Sequence, residues 1–105
     1  AYHLKQMYDK ATENYKKSID LNPKQGDVYY NYALLFYEQR KLQDAIELLE
    51  SGLKYLPDDA ELHYGLAIML NAQGLKLEAV NELRETLKIN PNHKEALEAL
   101  KPLLN

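Results

Sequence analysis

The segment YYNYALLFYEQRKLQDAIELLESGLKYLP, residues 29–57, is repeated in weaker form along most of the chain. A forward shift of 34 positions, the step from Pro23 to Pro57, aligns Ala45, Leu49, Leu53 and Pro57 with Ala79, Leu83, Leu87 and Pro91. The same step backwards aligns them with Ala11, Tyr15, Ile19 and Pro23. The first half of the segment repeats as well, since Tyr29, Tyr32, Ala33 and Phe36 align with His63, Leu66, Ala67 and Leu70. A fixed period of this length indicates an array of one supersecondary unit.

Apolar residues recur at steps of three and four in every unit, which predicts helices. The predicted helices cover residues 1–20 (whole or broken), 27–39, 43–55, 60–72, 77–88 and 93–103. The junctions at Arg40-Lys41 and Gly74 are so short that the helices on either side must be antiparallel. Two capping boxes, Asp58 with Glu61 and Asn92 with Glu95, mark predicted helix starts. No strand-like alternation occurs, so the predicted fold is all-α.

The composition excludes several classes of function. The net charge of −3 provides no basic surface for nucleic acid. The absence of Cys excludes a disulfide framework and a thiolate zinc site. No apolar run reaches the ~20 residues that span a bilayer, and the first ten residues lack a signal-peptide core. We therefore expect no nucleic-acid or membrane partner, and these features favour a cytoplasmic location.

The residue types that carry chemistry are scattered. His3, His63 and His93 are too far apart in the repeats for a metal site; His63 is predicted to pack and His93 to be solvated. Ser18 and Ser51 have no His partner in reach. Glutamates at 47, 50, 78, 82 and 85 alternate with basic residues at 54, 84 and 88, which predicts a solvated, salt-bridged surface. We expect no enzyme, no metal and no cofactor.

The repeated residues resemble the tetratricopeptide repeat, whose pattern is W-x2-L-G-x2-Y, then A-x3-F, then P, over 34 residues. Two units match throughout, while a leading half matches through Tyr2, Ala11, Tyr15 and Pro23, and a trailing half through Leu97, Leu100 and Leu104. The resemblance implies a right-handed α-solenoid of antiparallel helix hairpins, with two full repeats flanked by half repeats. The predicted divisions of this single domain are 1–25, 26–59, 60–93 and a capping helix at 94–105.

Small residues have a packing role in this arrangement. Ala33 and Ala67 are predicted at the crossings of paired helices, facing the small residues Ala45, Gly52, Ala79 and Thr86. In the last half unit, Lys101 stands where a small residue is expected and Pro102 follows it. We therefore predict a terminal cap in which Leu97, Leu100 and Leu104 cover the last hairpin.

The resemblance implies a binding groove on the concave face, lined by the first helix of each hairpin. At 100° per residue, one stripe lies off the packing face: Tyr30, Asn31, Leu34, Tyr37, Tyr64, Ile68 and Asn71. These are the predicted peptide-binding residues, with Asp27, Glu38, Glu61 and Glu95 at the rim. The alternative is that part of the stripe only fills the seam between neighbouring helices.

Some members of the family hold a C-terminal carboxylate with Lys, Asn and Arg along this groove. Asn31 matches the central asparagine, but Glu61 and Gly65 stand where Lys and Arg are required. We therefore expect a different ligand, neutral or basic with apolar anchors.

The predicted function is a non-catalytic adaptor that binds a partner peptide or helix. The alternative is a structural segment of a longer solenoid. In that case Leu4, Met7, Tyr8 and Tyr15 would expose a face on the first helix that promotes homo-oligomers.

Overall fold

The computed structural model describes residues 2–104, with side chains from 5 to 104. The predicted roles of Tyr2, His3 and Leu4 lie outside the described side chains. The described residues form six helices, in order α1 (Tyr2–Leu21), α2 (Gly26–Glu38), α3 (Leu42–Tyr55), α4 (Ala60–Ala72), α5 (Lys76–Ile89) and α6 (Lys94–Leu104). Residues 2–104 contain no strand, and none of their helices is long and apolar enough to cross a membrane.

The helices form a right-handed α-solenoid, as predicted. Helix α2 pairs with α3 and α4 pairs with α5, and these two full hairpins are flanked by α1, which packs on α2, and α6, which packs on α5. The hairpins stack through contacts of α3 with α4 and of α2 with α4. The contact of α2 with α4 places the first helices of both hairpins side by side, and the candidate site lies there.

Small side chains are buried where the hairpins close. Ala33 and Ala67 are buried, as are Ala45 and Ala79 on the partner helices, which confirms the predicted packing role of small residues. The largest apolar side chains that are fully buried fill the core within and between the hairpins, namely Tyr29, Leu49, Leu62, Met69 and Leu83. Each hairpin thus completes its core only against its neighbour, which is how solenoids are stabilised.

The two hairpin junctions share one geometry. The N–H of Lys41 donates to the carbonyl of Phe36 over 2.9 Å, and the N–H of Leu75 donates to that of Leu70 over 2.9 Å. This bond belongs to the Schellman motif, which needs one residue in the left-handed region. Gly74 has that conformation in the second hairpin with φ 86°, and Arg40 has it in the first with φ 63°.

Both predicted capping boxes are wrong by one residue. Helix α4 begins at Ala60, so its cap is Asp59, whose Oδ1 accepts the N–H groups of Glu61 (3.0 Å) and Leu62 (3.2 Å). Helix α6 begins at Lys94, so His93 takes the place predicted for Asn92. The N–H of Ala96 donates to His93 Nδ1 over 3.1 Å. His93 is 4% exposed, so the prediction that it is solvated is also wrong.

The terminal cap uses a different face of α6 from the predicted one. Ala96 is buried, and Leu100 and Leu103 pack against the last hairpin. Leu97 and Leu104 are exposed, contrary to the prediction. Their positions match residues that face the second helix of a hairpin, and no second helix follows α6 within the described chain.

The outer helices carry fewer ion pairs than predicted. Among the side chains of residues 5–104, the one Lys or Arg pair is Lys17 with Glu13, at 3.5 Å. Glu82 pairs with His63 instead, with its Oε1 2.7 Å from His63 Nδ1. The other four glutamates of the predicted network are solvated but unpaired with Lys or Arg at this distance.

Candidate functional site

The seven predicted groove residues lie on α2 and α4, the two helices that pack side by side. Four of them are exposed, including Leu34 at 36% and Tyr37 at 44%. The other two exposed residues are Asn31 and Asn71, while Tyr30, Tyr64 and Ile68 are half-buried. The stripe therefore has a half-buried floor and a set of accessible apolar and amide side chains. We call this surface the concave groove, after the binding face that the family resemblance implies. Of its seven residues, Tyr30 and Asn31 line one of the clefts described below and Tyr37 lines another.

Tyr30 fills the seam between α2 and α4. Its ring lies over Gly65, where an added Cβ would stand 3.1 Å from Tyr30 Cε2 and 3.2 Å from Cδ2. Burial raises the pKa of Tyr30, and the neighbouring Tyr64, Glu61 and Glu95 raise it further. Tyr30 thus belongs to the floor of the groove, and glycine at position 65 makes room for its ring.

Tyr64 joins the groove to α6 through His93. The two rings have centroids 4.9 Å apart and planes at 39°. Because His93 Nδ1 accepts the N–H of Ala96, its Nε2 carries the proton and donates to Glu61 Oε1 over 2.7 Å. Burial raises the pKa of Tyr64, as do Glu95, Glu61 and Glu98. This contact fixes the orientation of Tyr64 and holds the carboxylate of Glu61 beside it.

The role of His93 was not predicted from the sequence, although a signal for it is present. The residues just before α2, α4 and α6 are Gln25, Asp59 and His93, one period apart. Asp59 and His93 each cap the helix that follows. Gln25 instead donates from Nε2 to the carbonyls of Ser18 (2.8 Å) and Asn22 (3.0 Å), at the end of α1. The repeat register therefore aligns His93 with the cap Asp59, although Gln25 in the same register does not cap its helix.

One end of the groove is acidic. A pocket of about 190 Å³ opens at the beginnings of α2 and α4, and we call it the acidic pocket. Its lining residues are Gly26, Asp27, Tyr30, Asn31, Asp59 and Glu61. Three carboxylates and, among the residues that the structure describes, no basic side chain line this space, so it favours a cation and repels an anion. Among the described residues, no group of three His, Cys, Asp or Glu is placed to hold a metal ion.

The other end of the groove is more apolar. A cleft of about 470 Å³ lies at the ends of α2 and α4, and we call it the end cleft. It is lined by Tyr37, Glu38, Arg40, Leu42 and Ala72. Nearby, Gln73 Nε2 donates to Gln43 Oε1 over 3.3 Å and connects the two hairpins at this edge. The size of the cleft suits one or two side chains of a bound segment.

A third cleft lies on a different surface, between α1 and α3. It measures about 440 Å³ and is lined by Lys16, Ile19, Asp20, Tyr29, Tyr32, Leu48, Ser51, Lys54 and Tyr55. Its residues come mainly from the helices that do not line the groove. It is therefore the competing surface against which the groove has to be tested.

Comparisons with known proteins agree with this geometry. A family model described as tetratricopeptide repeat matches residues 3–67 and 36–103. No curated protein matches the chain in sequence.

Solved structures of tetratricopeptide repeat proteins are similar to this chain in fold. The NMR structure of the first TPR domain of human RPAP3 is 20% identical, with a TM-score of 0.85 over 97% of this chain and 80% of that one. The first TPR of Spaghetti (RPAP3), bound to the HSP90 peptide SRMEEVD, is 20% identical, with a TM-score of 0.83 over 97% of this chain and 81% of that one. The Arabidopsis OM64 TPR domain is 26% identical, with a TM-score of 0.81 over 98% and 84%. The chain belongs to the tetratricopeptide repeat family, which is generally a non-enzymatic protein-interaction fold.

Proposed function

We propose that this chain is a non-catalytic adaptor that binds a segment of a partner protein in the concave groove. The observation that carries the proposal is the exposure of two apolar side chains, Leu34 and Tyr37, and two amides, Asn31 and Asn71, on helices α2 and α4, which pack side by side. Apolar side chains in a groove offer anchors, and amides offer hydrogen bonds to a peptide backbone. The residues proposed to contact the partner are Tyr30, Asn31, Leu34, Tyr37, Tyr64, Ile68 and Asn71.

The half-buried floor supports this proposal because it needs little reorganisation. Tyr30 is held against Gly65, and Tyr64 is held against His93. Side chains that are already ordered lose less conformational entropy when a ligand binds. The accessible residues Leu34 and Tyr37 can then contact the ligand over a fixed base.

The charges of the groove select the ligand. Asp27, Glu38, Glu61 and Glu95 border it, and the side chain of Glu61 is 62% exposed. The peptide in the Spaghetti structure carries three acidic residues. Such a peptide would be repelled by Glu61 here. The preferred partner segment is therefore neutral or basic overall, with apolar anchors.

The test begins with peptides selected from a displayed random library on the immobilised wild-type chain. A selected peptide is then titrated against Leu34→Ala, Ile68→Ala and Asn31→Ala, each shown to be folded by circular dichroism. We expect micromolar binding, about −8 kcal/mol, and a loss of about tenfold for each apolar truncation. Truncations should mainly raise the off-rate, and changes of the rim acids should mainly alter the on-rate and its salt dependence.

The matched control is Tyr55→Ala, which removes an exposed aromatic ring from the α1–α3 cleft. It should bind like the wild type. If the three groove variants bind normally while Tyr55→Ala does not, the α1–α3 cleft is the site and the groove is not. If no peptide is selected, the adaptor function itself is contradicted.

A second candidate function is self-association through the face of α1 that does not contact α2. Met7 on this helix is 66% exposed, and Tyr8 is only half-buried. Tyr15, which was predicted to belong to this face, instead stacks on Tyr32 of α2, with ring centroids 5.6 Å apart. Exposed apolar residues of this kind favour contacts between copies. Sedimentation over a range of concentrations, for the wild type and for Met7→Lys, separates the two candidates. A monomer at every concentration would contradict self-association.

A further inference from the structure

Arg40 has a backbone conformation that arginine rarely adopts. Its φ of 63° lies in the left-handed region, where the Cβ of an L-residue crowds the following carbonyl. The equivalent residue of the next repeat is Gly74, which has φ 86° and no such crowding. A Cβ built on Gly74 meets no atom within 4 Å, so the junction has room for a side chain and the backbone angle alone disfavours one. Arg40 is thus present in spite of a local conformational strain.

The side chain of Arg40 lines the end cleft. Within the described chain it forms no ion pair, so its strain is not offset by a carboxylate partner at that distance. The neighbouring walls are the ring of Tyr37 and the side chains of Leu42 and Ala72. A strained residue at the edge of a binding surface is typical of a functional position. The cleft therefore combines an apolar wall with a guanidinium group.

The two ends of the groove differ in charge, since the acidic pocket has three carboxylates and the end cleft has Arg40 together with Glu38. The acidic pocket contains Asp27, and the end cleft contains Tyr37, ten residues later on the same helix. Ten helical residues rise about 15 Å. An extended peptide covers that distance in about five residues.

We propose that the end cleft is a specificity subsite for a large apolar residue followed or preceded by Asp or Glu, with Arg40 binding the carboxylate. The bound segment is an extended peptide whose basic residue, about five positions away, occupies the acidic pocket. This inference rests on the proposed function of the groove. It adds contacts at the two ends of the groove that fix the orientation of the bound peptide. The planar guanidinium suits a carboxylate through two parallel hydrogen bonds. Glu38 in the same cleft weakens the preference, and its removal strengthens it.

The experiment selects peptides from a displayed random library on the wild-type chain and, in parallel, on Arg40→Gly. Arg40→Gly removes the strained side chain, so the variant stays folded. The control for the loss of one positive charge is Arg84→Gln, on the exposed side of α5. Wild type and Arg84→Gln should both enrich a basic residue and, about five positions along, an apolar residue beside Asp or Glu. Peptides selected on Arg40→Gly should still be enriched in the basic residue and the apolar residue, but no longer in Asp or Glu.

Affinities of one selected peptide provide the second readout. Changing its Asp or Glu to the amide should weaken binding to the wild type about tenfold and leave binding to Arg40→Gly unchanged. Glu38→Gln should bind the acidic form more tightly than the wild type does. Equal acidic enrichment on wild type and Arg40→Gly would overturn the subsite while leaving the groove intact. No enrichment on either chain would overturn the groove and the subsite together.

Discussion

Replacing Gly52 by Ala provides a sharp test of the packing between α2 and α3. Gly52 is buried on α3, and an added Cβ would stand 2.8 Å from Cγ of Tyr29, 3.0 Å from Cδ1 and 3.1 Å from Cδ2. Ordinary van der Waals contacts of a Cβ begin near 3.4 Å. The new methyl group would therefore press on the Tyr29 ring near its attachment point. Tyr29 is buried and borders the α1–α3 cleft on one side, so displacing its ring would disturb the packing between α2 and α3.

Two effects of opposite sign determine the result. Alanine in place of glycine inside a helix stabilises by about 1 kcal/mol, through helix propensity alone. Overpacking of a filled core costs about 1–3 kcal/mol, and a contact against the base of a buried ring belongs at the upper end. We therefore expect Gly52→Ala to lower the free energy of unfolding by about 1–2 kcal/mol. Without the contact, the same substitution would stabilise the chain. The sign of the change in the free energy of unfolding therefore shows whether Gly52 packs against Tyr29 as described.

The assay is urea unfolding followed by circular dichroism, with an unchanged slope against urea as the check on two-state behaviour. Gly65→Ala is the control, because its Cβ would stand 3.1 Å from the outer edge of the half-buried Tyr30 ring, which is a smaller overlap than the 2.8 Å contact at position 52. It should change stability by less than Gly52→Ala. In a Tyr29→Leu background, the effect of Gly52→Ala should also shrink, which gives the coupling between the two positions. A Gly52→Ala chain as stable as the wild type would refute the packing argument.

Three further outcomes are expected. Arg40→Gly should raise the free energy of unfolding in urea by about 0.5–1 kcal/mol, because it relieves the left-handed strain at some cost in backbone entropy. A loss of stability would show that Arg40 is not strained. Asp59→Ala should cost about 1 kcal/mol by removing the cap of α4, whereas Asp58→Ala should cost less than about 0.5 kcal/mol, and equal losses would contradict the assignment of the cap. Burial alone lowers the pKa of His63, but its hydrogen bonds to Glu82 and to the carbonyl of Pro57, with the charge of Glu82, raise it overall above 6.5. The stability gained from His63 is then complete below about pH 6.5 and is lost as the pH rises through the raised pKa. The difference in free energy of unfolding between the wild type and His63→Gln should therefore fall with rising pH. A constant or growing difference would contradict this.

The period of 34 residues predicted most of the fold. The observed helix bounds differ from the predicted ones by only a residue or so, because apolar periodicity, proline and short junctions act locally. The buried alanines were predicted for the same reason, since a repeated small residue indicates a repeated close approach. The errors at the caps, Asp59 and His93, are errors of one residue in where a helix begins. Short polar motifs such as D-x-x-E occur in several registers, and the backbone geometry selects one.

The candidate site was predicted only in outline. The stripe of seven residues could be placed on the first helices from 100° geometry, but its division into a half-buried floor and exposed contacts could not. Tyr30 and Leu34 look alike in the pattern, yet Tyr30 is covered because Gly65 of the next hairpin lies beneath its ring. The acidic pocket and the end cleft also combine residues from both hairpins.

The sequence by itself determined the helical class, the repeat unit and the residues that close each hairpin, because these depend on spacing within one unit. The tertiary structure alone decided which residues meet between units. His93 illustrates the difference: it is polar and lies in a loop, yet it is buried against Tyr64 and Glu61, which precede it by 29 and 32 positions. Arg40 is the second case, since only the backbone shows that it has the conformation of Gly74. Contacts between distant positions depend on how neighbouring hairpins stack, and a local pattern contains no information about that geometry.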